Sequence, residues 1–118
     1  MKIALFTNTY PPSLNGVANV THFYRLGLTD RGHDVHVFAP APLGEDPFEG
    51  DPAVHRYPAF RCPGELDYMI ALPPLFFPKM AVEISAMQFD LVHTQHTVWV
   101  GVWGQRVARR RRIPVVST

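Results

Sequence analysis

The segment Asp90-Leu-Val-His-Thr-Gln-His-Thr97 gathers two imidazoles, an amide and two hydroxyls within eight residues. Histidine titrates near neutral pH, so His93 and His96 suit proton transfer. Together with Gln95 they also suit hydrogen bonding to a polyol such as a sugar. A second reading stands beside this one: one histidine is a satisfied core residue and the other caps a helix. No metal site is expected, for want of an evident third ligand beside the two histidines.

A second chemical feature is Asn15-Gly16, directly before a helical pattern. A glycine there lets backbone N–H groups approach an anion at the positive end of a helix. The alternative is a turn that needs positive φ. No G-x-G-x-x-G pattern is present, which argues against a dinucleotide fingerprint. Tyr10-Pro11-Pro12 reads as a rigid stretch of the same loop. A third feature is the run Arg106, Arg109, Arg110, Arg111 and Arg112. It falls at a helix C-terminus, where cations offset the dipole, and no aromatic interleaving accompanies it. A solvated helix end is the favoured reading, with contact to a membrane surface as the lesser one and no nucleic-acid partner.

The elements that must carry these residues follow from periodicity. Residues 3–6 form a continuous apolar run, as a central parallel strand covered on both faces requires. Residues 17–31 place apolar side chains at 17, 20, 24 and 28, one face of an amphipathic helix, with Asn15 as N-cap and Gly32 beyond its end. Strands are predicted at 34–38, ended by Pro40, and at 54–57. Residues 64–71 read as a loop holding at most a short strand. Helices are predicted over 75–87 and over 98–111, the latter with Trp99, Trp103 and Val107 on one stripe. Strands are predicted at 90–94 and 113–117. Alternation of this kind gives an α/β parallel sheet, and right-handed crossovers give the strand order 3-2-1-4-5. Ligands of such sheets bind beyond the carboxyl ends of the strands. Asn15, Gly16, His93, Gln95 and His96 all fall at that end.

Composition fits this architecture. With 118 residues the chain is long enough for one domain with a core, and 47% hydrophobic against 18% charged content excludes a disordered chain. The net charge of +1 gives no global pull toward nucleic acid. The lone Cys62 forms no internal disulfide, the N-terminus lacks an apolar signal core, and the apolar stretch at 72–78 is broken by three prolines. These features lead to a cytoplasmic expectation. Six of the twelve prolines lie between Pro40 and Pro63, marking a long irregular connection. The pattern stops on a strand at Thr118, so a truncated domain is expected, with exposed apolar surface and self-association if it stands alone.

Four ordered stretches carry a resemblance: Met1-Lys-Ile-Ala-Leu-Phe-Thr-Asn-Thr-Tyr-Pro-Pro-Ser-Leu-Asn-Gly-Val-Ala18, Arg31-Gly-His-Asp-Val-His-Val-Phe-Ala-Pro40, Phe89-Asp-Leu-Val-His-Thr-Gln-His96 and Arg112-Ile-Pro-Val-Val-Ser-Thr118. Together they resemble the N-terminal half of retaining GT-B glycosyltransferases of family 4, the group-1 glycosyltransferases. The members that glycosylate lipid acceptors are the most similar in feel. The resemblance implies a Rossmann-like, acceptor-side domain over residues 1–118. The donor-binding domain and its Glu-x7-Glu motif are absent from this sequence, so the piece alone is expected to be inactive.

It further implies transfer of a sugar from a nucleotide sugar to a lipid or glycan hydroxyl with retention. The nucleotide sugar is a substrate, and no cofactor is expected. Peripheral membrane contact is a further expectation. Gly16 matches the glycine loop that meets the donor diphosphate or the acceptor. Tyr10, Asn15 and Thr118 are assigned with it to substrate binding. The segment at 93–96 matches the family's sugar-contacting histidine region. Many members have a second histidine where this chain has Gln95, so His93, Gln95 and His96 share that role. A stand-alone Rossmann-like binding or assembly module without catalysis is the competing reading.

Overall fold

The computed structural model describes residues 1–61, 69–71, 84, 86–95 and 100–117. Its main sheet contains β1 (Lys2–Phe6), β2 (Asp34–Pro40), β3 (Val54–Tyr57), β6 (Leu91–Thr94) and β7 (Val115–Ser117). The order is β3-β2-β1-β6-β7 and every pairing is parallel. That is the expected 3-2-1-4-5 arrangement of a Rossmann-like α/β sheet. A separate antiparallel pair joins β4 (Ala59–Arg61) to β5 (Met69–Ala71). Only β5 falls where the sequence hinted at a short strand.

Alternation along β1 feeds two cores, because successive strand side chains point to opposite faces. Ala4 and Phe6 join Phe38, Tyr57, Phe89 and Val92 on one face, against Ala108 of the helix α2 (Val100–Arg111). Phe6 and Phe38 stack there with ring centroids 4.7 Å apart. Ile3 and Leu5 join Val35, Val37 and Tyr10 on the other face, against Leu28 of the helix α1 (Gly16–Asp30). Helices therefore cover both faces, and the strand ends are left to loops.

Helix α1 corrects the predicted stripe. Ala18 and Thr21 are buried, while Val17, Val20 and Tyr24 are each more than a third exposed. Of the expected positions 17, 20, 24 and 28, Leu28 reaches the core. The buried Thr21 is tolerated because its hydroxyl donates to the Val17 carbonyl at 2.7 Å. The helix ends as predicted, with Gly32 at φ +89° and its N–H donating to the Thr29 carbonyl.

Other boundaries moved for local reasons. Strand β2 runs through Pro40 rather than stopping at Phe38. Its neighbour β1 pairs only as far as Phe38, so no ladder bond on that side asks for an N–H from Pro40. Asp90 precedes β6 and bolts the strand's start to β1: its N–H donates to the Lys2 carbonyl, and its carboxylate accepts the Lys2 N–H at 2.7 Å. The last predicted strand is paired over Val115–Ser117. Of the helix predicted over 75–87, Ile84 and Ala86 are helical and Met87 already lies past its end. Residues 75–83, the apolar stretch at 72–78, Cys62 and the start of the helix predicted from 98 lie outside the described residues, as do the Trp99 and Trp103 side chains.

The arginine run is partly structural. Arg111 donates to the Ile84 carbonyl at 2.6 Å and also to the Met87 carbonyl, tying α2 to the approach to β6. Arg106, Arg109, Arg110 and Arg112 are exposed. Among the described residues, no helix is long and apolar enough to cross a membrane.

Candidate site at the carboxyl end of the sheet

The loop after β1 is held by its own polar side chains. The Thr7 hydroxyl donates to the Thr9 carbonyl at 2.7 Å and accepts the Thr9 N–H at 3.2 Å. The Asn15 amide donates to the Thr9 hydroxyl at 2.8 Å, and its carbonyl oxygen accepts the Ala18 N–H at 2.9 Å. One side chain thus caps α1 and ties the helix start back to the loop. Between them Ser13 closes a turn onto the Tyr10 carbonyl at 3.1 Å. Residues 7–9 are buried although they are polar, which this bonding permits.

Gly16 opens α1, and two observations bear on why it is glycine. Its φ is not in the left-handed region, where only Gly32 and Gly50 lie among the described glycines. A Cβ built on it meets no atom within 4 Å. The turn-requiring-positive-φ reading is therefore removed, and internal crowding does not ask for glycine either. At the same helix mouth Asn15 engages the Ala18 and Asn19 N–H groups. The N–H groups of Gly16 and Val17 have no partner inside the helix. The first turn carries no acidic residue, so the positive end of the dipole is uncompensated.

The neighbouring strand end supplies the second wall. The Gln95 N–H donates to the Phe6 carbonyl at 2.9 Å, extending the β1–β6 ladder by one step. Gln95 and the loop starting at Thr7 therefore leave adjacent strands at the same end of the sheet. The Gln95 amide lies 3.3 Å from His93 Nε2. The Tyr24 ring of α1 packs on the His93 ring at 5.5 Å, so α1 reaches β6 as well as β2. Burial holds the half-buried His93 below the usual histidine range. It is neutral near pH 7, with one nitrogen to donate and one to accept.

The structure thus brings Asn15, Gly16, His93 and Gln95 to one region of the fold. Tyr10 is placed differently from its expected role. It is 1% exposed, its hydroxyl lies 2.7 Å from His22 Nδ1 and accepts from Arg25 at 3.5 Å, and it props the loop from inside. Burial raises its pKa, Arg25 pulling the other way. His96 and Thr118 lie outside the described residues. Among the described residues, no group of three or more His, Cys, Asp or Glu is arranged to hold a metal ion.

Sequence reasoning missed the outer support of this loop. Arg56, Asp46, Arg25 and Asp51 form two ion pairs beneath it, Arg25 to Asp51 at 2.6 Å and Arg56 to Asp46 at 3.0 Å. The buried Tyr57 hydroxyl donates to the Thr7 carbonyl at 2.7 Å. Nothing in the local sequence marks these residues, because every partner is distant along the chain.

These groups set a pH dependence. Burial, with Arg25 second, lowers the pKa of His22, and burial lowers that of His93. A histidine depressed in the folded state contributes stability that is complete above its unfolded value and lost as pH falls below it. Burial by itself raises Asp46 and Asp51, but the bonds from Arg56 and Arg25 and from backbone N–H groups outweigh it, and both end lowered. Their contribution is present above the unfolded carboxylate value and lost in acid. The thermal unfolding midpoint is therefore expected to stay level from pH 8 to 7. It then declines in two stages, below about 6.5 and again below about 4. Calorimetry across this range checks it: a midpoint level down to pH 5 would show that the two imidazoles are not held neutral.

Comparison with known proteins agrees with the fold. The sequence pattern of Glycosyltransferase Family 4 matches residues 14–118. The alpha-monoglucosyldiacylglycerol synthase of Acholeplasma laidlawii is 33% identical over 118 residues, covering 100% of this chain and 29% of that protein. The protein of the same name from Streptococcus pneumoniae is 34% identical over 119 residues, covering 100% of this chain and 26% of its own length. The GDP-mannose-dependent alpha-mannosyltransferase of Mycolicibacterium smegmatis is 28% identical over 121 residues, covering 99% of this chain and 32% of its own length. The chain thus spans less than a third of the length of each of these curated relatives.

Proposed function

Because the chain belongs to Glycosyltransferase Family 4, we propose that it forms the acceptor-side domain of an enzyme that moves a sugar from a nucleotide sugar to a lipid or glycan hydroxyl, with retention. The relatives supply the substrate classes: two are named for a glucosylated diacylglycerol and one for GDP-mannose. One observation of this chain carries the reading. Gly16 sits at an uncompensated helix mouth, with room around it and no backbone or packing reason to be glycine. A diphosphate approaching that mouth meets the N–H groups of Gly16 and Val17 and the positive end of α1.

The chemistry follows from that placement. As the sugar–phosphate bond breaks, negative charge grows on the leaving diphosphate, and fixed N–H donors stabilise it more than they stabilise the bound donor. The leaving phosphate takes the proton of the acceptor hydroxyl, so no side-chain base is required. His93, neutral and half-buried, orients a sugar hydroxyl together with Gln95 or with His96, which follows it in the chain. The lipid-named relatives also support peripheral contact with a membrane during the reaction.

The test is direct. The full-length protein is incubated with UDP-glucose or GDP-mannose and vesicles containing diacylglycerol, and the lipids are analysed by mass spectrometry. A glycosylated lipid whose anomeric configuration matches the donor, read by proton NMR, is the expected product. Neither glycosylated lipid nor nucleotide release, from folded protein over a range of hydroxyl acceptors, would overturn the proposal.

A further inference from the structure

The loop that presents Asn15 and Gly16 contains Pro11 and Pro12, which have no N–H to donate. At these two residues the backbone can be fastened only through its carbonyl acceptors, and a donor has to reach them from elsewhere. Arg56, on the edge strand β3, does so. Its Nη2 donates to the Pro11 carbonyl at 2.6 Å, and its Nη1 donates to the Pro40 carbonyl at 2.9 Å. Nε and Nη2 grip the two Asp46 oxygens at 3.0 Å each. The guanidinium also lies over the Tyr10 and Phe48 rings, 5.5 and 5.8 Å from their centroids. Three segments of chain meet on one planar group whose side chain is 12% exposed.

We infer that Arg56 is a positioning residue: its guanidinium fixes the Pro11 carbonyl relative to β2 and thereby sets where Asn15 and the N–H groups at Gly16 stand. The inference rests on the reading of the α1 mouth as the donor-diphosphate site. Displacement of Pro11 is passed on because the loop beyond it is short and cross-braced, by the Ser13–Tyr10 turn and by the Asn15–Thr9 bond. Asp46 holds the guanidinium in plane and neutralises it, so the cation attracts no phosphate itself. Lysine cannot replace it: one ammonium does not meet Asp46, Pro40 and Pro11 in their separate directions.

The experiment compares Arg56→Lys and Arg56→Ala with the unaltered full-length protein, using UDP-glucose or GDP-mannose, whichever is turned over. Arg56→Lys keeps the charge beside Asp46. It is expected to fold cooperatively while kcat/KM for the nucleotide sugar falls about 10- to 100-fold, the cost of a misplaced binding group. Hydrogen exchange should quicken at the amides of residues 8–17 and not across β1 and β6. Added guanidinium ion should restore part of the activity of Arg56→Ala, and should not improve Arg56→Lys. Should the alanine variant not fold, the lysine variant and its exchange pattern carry the test. Folded Arg56→Lys with unchanged kinetics, or exchange raised evenly over the sheet, overturns the inference. Gly16→Val separates the two readings. If it too leaves kinetics unchanged, the donor-site reading itself has failed; if it lowers kcat/KM while Arg56→Lys leaves it unchanged, positioning alone has failed.

Discussion

Gly16→Val is expected to lower kcat/KM for the nucleotide sugar by about 100- to 1000-fold, the range associated with losing an N–H donor to a developing negative charge. The unfolding midpoint is expected to move by no more than a few degrees. The two halves of this expectation come from separate observations. Stability is spared because valine at this position meets ordinary φ and nothing within 4 Å of its Cβ. It also follows the N-cap, ahead of the crowding in later turns that penalises β-branched side chains. Activity is lost because, on the proposed reading, the same open space receives the diphosphate against the backbone, and the added isopropyl group fills it. Gly16→Ala should fall between the two. Steady-state kinetics and a thermal melt on the same preparations settle it. Equal kinetics in all three proteins would remove Gly16 from the site, and a valine variant that melts far below the parent would return glycine here to a structural role.

What the sequence made legible was whatever depends on local period and chain direction. The apolar run at Ile3, Ala4, Leu5 and Phe6, closed by a Pro/Gly turn, reads as a strand buried on both faces, and right-handed crossovers then dictate its neighbours. Asn15 as N-cap and Gly32 as the residue past the helix end were legible for the same reason. The stripe of α1 was not. Positions 17, 20, 24 and 28 and positions 18, 21, 25 and 28 both keep helical spacing, and composition favours the first. The second set is the one turned inward, at Ala18, Thr21 and Leu28, with Arg25 part-buried. It wins because the polar members find partners: Thr21 bonds back within its own helix, and Arg25 meets Asp51, 26 residues onward. Long-range pairing of that sort leaves no local mark. The support of the site shows the same limit, since Arg56 reaches Pro11 across 45 residues and Tyr57 reaches Thr7 across 50. From the sequence Tyr10 is assigned to substrate binding together with Gly16, in a loop read as rigid. Only the packing of His22, Phe48 and Arg56 around its ring shows that it faces inward.

Gly104→Ala is expected to destabilise the protein, against the usual sign for an exchange inside a helix. On propensity alone alanine in α2 would be more stable than glycine by about 1 kcal/mol. The structure opposes this. A Cβ on Gly104 would stand 2.7 Å from Thr94 Cγ2 and 2.9 Å from Phe6 Cδ2, distances that real contacts do not reach. Neither neighbour can withdraw cheaply. Phe6 and Thr94 are fully buried, Phe6 is stacked on Phe38, and the Thr94 hydroxyl is held 3.0 Å from that of Ser117. Overpacking a fixed core costs up to about 3 kcal/mol, so the net effect is a loss of about 2 kcal/mol. Helix α2 is then pushed off β1 and β6, the two strands whose carboxyl ends border the candidate site. Chemical denaturation measures the difference. A gain of about 1 kcal/mol would mean that α2 stands further from the sheet than the contacts at Gly104 require. Thr94→Ser supplies the internal check, because it deletes the nearest clashing methyl and keeps the hydroxyl. In the Gly104→Ala background it should recover part of the loss, whereas alone it should cost stability, and that reversal of sign is the mark of two side chains competing for one volume.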